Sequence, residues 1–148
     1  MSDRYSARIE IGGELPRQHL ARLCKLFEVD DEEALMARVA DGDLVLEDDQ
    51  AAWGEFLELE TTCRDLDLPY QRRSEGYWER PPQLVFWRPG MDEPESVTTN
   101  SDGGILVQMD TLCEARDHLR AGSAARALAL LEDAVITAPD LPPFRIVD

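Results

Sequence analysis

Between Tyr70 and Gly90 the sequence sets Arg72, Arg73, Arg80 and Arg88 among Tyr70, Tyr77, Trp78 and Trp87. A guanidinium offers a planar fork of donors for a carboxylate or phosphate, and a flat ring offers apolar area or a partner for a cation. Protein interfaces favour the same pairing, because rigid aromatic area loses little conformational entropy on binding. Arg72, Arg73, Trp78, Arg80, Trp87 and Arg88 are therefore candidate binding residues. The competing reading sends Phe86 and Trp87 to opposite faces of a strand, one rooted in the core, with the arginines paired to carboxylates. A single-stranded nucleic-acid platform uses similar residues, but here it would work against the negative charge of the rest of the chain.

A second constellation is acidic. If a helix follows Asp48 and Asp49, then Ala52, Phe56, Leu59, Cys63 and Leu66 recur at helical spacing on its covered face, widened by Trp53 and Leu57. Glu55, Glu58, Thr62 and Asp65 then share the opposite face, and an ordered row of carboxylates there could meet a basic surface. A plain solvated helix face is the commoner use of such a pattern.

Nucleophile and metal chemistry find less support. His19 and Cys24 lie five positions apart, as do Cys113 and His118, an interval that does not bring side chains together on a helix. The chain has no CxxC pair, HExxH helix or calcium-loop pattern, and Gly12-Gly13 lacks the spacing and following residues of a phosphate loop. The three cysteines fall on apolar stripes and read as core thiols. No catalytic residue, metal ligand or cofactor is assigned.

The elements that would position these residues follow from periodicity. Tyr5, Ala7, Ile9 and Ile11 alternate with polar residues as a half-covered strand does, ending at Gly12-Gly13. Residues 15–28 carry a helical stripe of Leu20, Leu23, Cys24 and Phe27, with Pro16 in the opening turn. Asp30 or Asp31 can cap a short helix ended by Gly42, and 44–46 suits a short strand. Beyond Pro69, three short runs at 70–73, 83–88 and 96–99 read as an antiparallel meander. Asp110 and Ser123 are expected to cap two helices separated by Gly122, with Leu112, Cys113, Leu119, Leu128 and Val135 among their covered residues. This hairpin is expected to pack on the sheet, and 144–147 to form a tail or short edge strand.

At 148 residues, 43% of them hydrophobic, the chain suits one α+β domain spanning 1–148, an antiparallel sheet with packed helices including the C-terminal hairpin. It lacks an apolar run long enough to cross a bilayer and a recognisable secretion signal, so a cytoplasmic location away from membranes is expected. Thirty-one acidic residues against fifteen basic ones give a net charge of −16, unevenly spread: seven basic against eighteen acidic in 1–67, four against two in 68–91, and four against eleven in 92–148. Such a field repels phosphate backbones and attracts basic proteins, although a proteome-wide acidic bias would look the same. The reading is a non-catalytic protein-interaction module, an acidic inhibitor or adaptor for a basic protein surface, with nucleic acid disfavoured. The alternatives are a small-molecule binder or enzyme with a pocket near Tyr77, Trp78 and Arg80, and an oligomeric structural protein.

Overall fold

The computed structural model describes residues 4–76 and 80–148. Its centre is β1 (Arg4–Ile11), whose alternating burial follows the sequence pattern, with Tyr5, Ala7, Ile9 and Ile11 inward. Around it runs a six-stranded antiparallel sheet in the order β3-β4-β1-β5-β6-β7, formed with β3 (Val39–Ala40), β4 (Asp43–Ala52), β5 (Tyr70–Ser74), β6 (Gln83–Trp87) and β7 (Glu95–Thr98). The expected meander is β5-β6-β7. With five α-helices added, the fold is α+β.

The helices are α1 (Leu20–Leu26), α2 (Glu32–Met36), α3 (Leu57–Asp65), α4 (Met109–Arg120) and α5 (Ala124–Ala134). Asp31 caps α2 as expected, accepting from the Ala34 N–H. Helix α1 starts later than its stripe suggests, because Glu14–Pro16 forms β2 and Arg17–His19 a 3-10 turn. Strand β2 pairs in parallel with β8 (Arg145–Val147), so the tail at 144–147 is a strand.

The larger correction concerns 43–56. Instead of entering a helix after Asp49, the chain continues as β4 to Ala52, held against β1 with a bulge where Asp49 and Gln50 face Ser6. Trp53 and Gly54 then turn with positive φ, and α3 starts only at Leu57. Pairing with β1 overrides the helical spacing of Ala52, Phe56 and Leu59. Of the expected covered face, Leu59 and Cys63 are buried, but Leu57 is 70% exposed and Trp53 lies at the surface.

One face of the sheet holds the main core, joining Ile9, Ile11, Tyr70 and Trp87 to Leu23, Leu35, Leu59, Cys63 and Phe144. A smaller cluster on Leu84, Phe86 and Val97 is covered by Ile136 and Ala138, just beyond α5. Phe86 and Trp87 thus do separate to opposite faces. The hairpin α4-α5 packs chiefly on itself, with one buried residue in each helix, Ala115 and Ala127. Its expected caps differ too: Gln108 holds the N-cap position of α4, and Ser123 makes no side-chain capping bond.

Candidate interaction surface

Strand β5 decides the fate of the first arginine. Period-two alternation places Tyr70, Arg72 and Ser74 on the core side and Gln71 and Arg73 on the other. Arg72 is 4% exposed. Its Nε donates to both carboxylate oxygens of Glu60 at 3.1 Å, and its Nη1 donates to the Gly54 carbonyl at 2.8 Å and to Ser74 Oγ at 2.6 Å. Glu60 also accepts from the Phe56 N–H at 2.7 Å, the first turn of α3, and Ser74 Oγ donates to the Gly54 carbonyl. The cluster thus ties the β4-to-α3 turn to the sheet.

Trp87 and Arg88 are likewise drawn into the framework. The Trp87 ring is buried and stacked on Tyr70 with centroids 6.3 Å apart, and its indole N–H donates to the Met91 carbonyl at 3.0 Å. Arg88 donates to the carbonyls of Tyr70, Trp87 and Pro139 and to Gln71 Oε1. Burial lowers its basicity, opposed by Asp43 and Asp140. Burial likewise raises the Tyr70 phenol to about 12 and pushes the Cys63 and Cys24 thiols up, away from the thiolate form a nucleophile needs. Cys113 is only partly buried.

Arg73 and Arg80 remain exposed. The Arg80 guanidinium lies 5.7 Å from the Trp53 ring centroid, an aromatic partner that the helical spacing hides because it puts Trp53 on a covered face. Both arginines line an open groove of about 940 Å³ together with Arg8 and four carboxylates, Glu47, Asp49, Glu75 and Asp102. Among the described residues neither is within ion-pairing distance of a carboxylate. Tyr77 and Trp78 lie outside the described residues.

The acidic row is only partly assembled. Glu58 and Asp65 are exposed on α3, Asp65 facing Arg22 Nη2 at 3.4 Å. Glu55 precedes the helix and is half-buried, while Thr62 turns inward. A second acidic run, Glu47, Asp48 and Asp49, is exposed along β4, which β3 pairs only at Asp43 and Leu44. Charges on such an open edge also discourage pairing with another strand.

Asp43 gives this surface a measurable pH response. Burial, then Glu10 and Asp41, push its carboxyl up against the opposing pull of Arg88 and Arg8. A carboxyl whose folded pKa is raised holds its proton more tightly in the native state, so its contribution to stability falls as pH rises through the carboxylate range. Asp43→Asn is therefore expected to raise the thermal midpoint at about pH 7, with the difference vanishing toward pH 3. A variant less stable than wild type at neutral pH would contradict this.

Among the described residues, no group of three or more His, Cys, Asp or Glu side chains is placed to hold a metal ion, and no helix is long and apolar enough to cross a membrane. No protein-family profile, curated protein or solved structure matches this chain.

Proposed function

We propose that the chain is a non-catalytic protein-interaction module whose acidic surface engages a basic protein surface, as a cytoplasmic inhibitor or adaptor would. The observation that carries this reading is the set of exposed carboxylates on the β4 edge and α3, in a chain of net charge −16. Arg72 and Arg88 spend their donors on Glu60, backbone carbonyls and Gln71, while Glu47, Asp48, Asp49, Glu58 and Asp65 stay at the surface. Outward carboxylates steer a cationic partner and suppress nucleic-acid binding.

The full chain used as bait in its native cell is expected to retain a basic protein at about 0.1 M salt and release it near 0.5 M, as the Debye length shrinks. Two charge-reversed variants, Glu58→Lys with Asp65→Lys and Asp48→Lys with Asp49→Lys, separate the α3 face from the β4 edge. Loss of capture in one variant locates the contact. Unaltered capture in both, or no salt-labile basic protein, would reject the reading.

The second reading rests on Arg73 and Arg80, two guanidiniums lining one groove without a carboxylate partner among the described residues. They suit the carboxylate or phosphate of a small ligand that also carries a cationic group for the neighbouring Asp49, Glu75 and Asp102. Stabilisation of the wild type by such compounds, absent in Arg73→Ala with Arg80→Ala, would favour this reading over the first.

A further inference from the structure

Helices α4 and α5 were expected to bury Leu112, Leu119, Leu128 and Val135, and they do not. Met109, Leu112, Leu119, Leu128 and Val135 are between 44% and 70% exposed. The positions are ordered. Ala115 and Ala127 mark the seam between the helices. At about 100° per residue, Met109, Leu112 and Leu119 lie roughly a quarter-turn beyond that seam on α4, and Leu128 and Val135 lie a similar angle beyond it on α5. Because the tight turn at 121–123 makes the helices antiparallel, equal offsets of the same sense bring both stripes to one side of the hairpin. The result is a two-helix apolar face.

Charge selects its occupant. The hairpin from Met109 to Val135 holds three arginines against five carboxylates, so it carries only −2 of the chain's −16. It is a surface on which two copies of this acidic protein can meet with little repulsion. Its charges are also sorted along its length. On the apolar side, by the same angular spacing, Arg116 and Arg120 lie toward the turn, where Arg116 also reaches Asp117 at 3.3 Å, and Glu132 lies toward the open end, while Asp110, Glu114, Arg126 and Asp133 fall on the other side. Glu132 and Asp133 crowd the last turn of α5, which has no basic residue of its own to answer the negative helix terminus. A second hairpin laid antiparallel across the first sets the arginine end of each against the carboxylate end of the other. Arg116, between Leu112 and Leu119 on the apolar stripe, is placed to make that exchange.

The geometry points to self-association of this chain through α4 and α5 as a two-fold, antiparallel four-helix bundle. Face-to-face burial of these side chains from both copies gives at most about 1,000 Å² in total, the size of a weak, reversible interface. Two-fold symmetry makes one patch serve as both donor and acceptor of the contact. This inference is independent of the basic partner, since it uses neither α3 nor the β4 edge.

Sedimentation equilibrium of the full chain is the test. Wild type is expected to reach twice 16.7 kDa by about 200 µM, as a weak interface of this size allows. Leu128→Asp and, separately, Leu112→Asp are expected to weaken the dimer by more than about 100-fold, because each change occurs twice in it. Two further variants read the orientation: Arg116→Glu with Arg120→Glu, and Glu132→Arg. Each alone sets like charges together and is expected to be monomeric, whereas an equal mixture pairs as a heterodimer. A monomeric wild type at 200 µM, a dimer indifferent to the leucine substitutions, or charge variants that fail to pair in the mixture would each overturn the proposal.

Discussion

Arg72→Met is expected to cost about 3–5 kcal/mol of stability, because it leaves the Glu60 carboxylate buried without its cation. Glu60 lies among buried neighbours and accepts from Arg72 Nε and the Phe56 N–H, so no route to water compensates the loss. Glu60→Leu should cost a comparable amount by stranding the guanidinium. The double variant should recover at least about 2 kcal/mol of the summed penalties, since an apolar pair of similar volume avoids the desolvation that the ion pair must offset. Recovery will be incomplete, for the Gly54 carbonyl and the Phe56 N–H lose partners as well. Urea denaturation of the four proteins measures the cycle. Additive penalties would show that the pair does not act as a unit.

The second large effect comes from the smallest side chain. A Cβ built on Gly12 would stand 2.1 Å from the Pro142 carbonyl oxygen, well inside van der Waals contact. Gly12→Ala must therefore lift the C-terminal segment away from β1. That segment is held by the bonds Gly13 N–H to Pro142 O, Arg145 N–H to Gly13 O and Phe144 N–H to Gly42 O, and by the pairing of β2 with β8. Displacing it takes the buried Phe144 ring out of the core, so the expected loss is about 3–5 kcal/mol, the range of a large-to-small core truncation. Phe144→Ala should cost a similar amount, and the double variant little more, because both act through one attachment. Limited proteolysis should cut the Gly12→Ala protein near residues 139–143 while the wild type resists. A Gly12→Ala protein within about 0.5 kcal/mol of wild type would refute the close approach.

These two sites show what the sequence makes legible. The alternation in β1 is clear because one of its faces is apolar throughout. In β5 the same period assigns Arg72 to the inward side with Tyr70 and Ser74, yet its charge argues for the surface, and only Glu60 on another element resolves the conflict. The run from Glu47 to Phe56 misleads for a different reason. Residues Glu47 to Gln50 of β4 are exposed on both faces, so they lose the alternation of a covered strand, while Ala52, Phe56 and Leu59 happen to fit a helix. The positive φ of Trp53 and Gly54 ends that fit, and a tryptophan there gives no local warning. In the hairpin the two helices and the glycine that separates them follow from the pattern. What covers their apolar stripes does not, since periodicity shows that a face wants cover and never by what. Gly12-Gly13 reads as an ordinary turn because Pro142, the group that requires a missing side chain, lies far along the chain.

The junction of β2 with β8 also fixes when the protein can finish assembling. Glu14 and Arg145 meet across 131 residues of sequence, and Phe144 seals a core to which β1, β2, α1, α2, β4, α3, β5 and β6 all contribute. During synthesis β1 can find β4 and then β5 as each emerges, but Leu15 and its neighbours stay open to water until the tail arrives. Pairings so distant form late and slowly, and surface left exposed meanwhile is open to chaperones and to other nascent chains. A chain cut short of residue 142 would therefore hold the sheet without this seal.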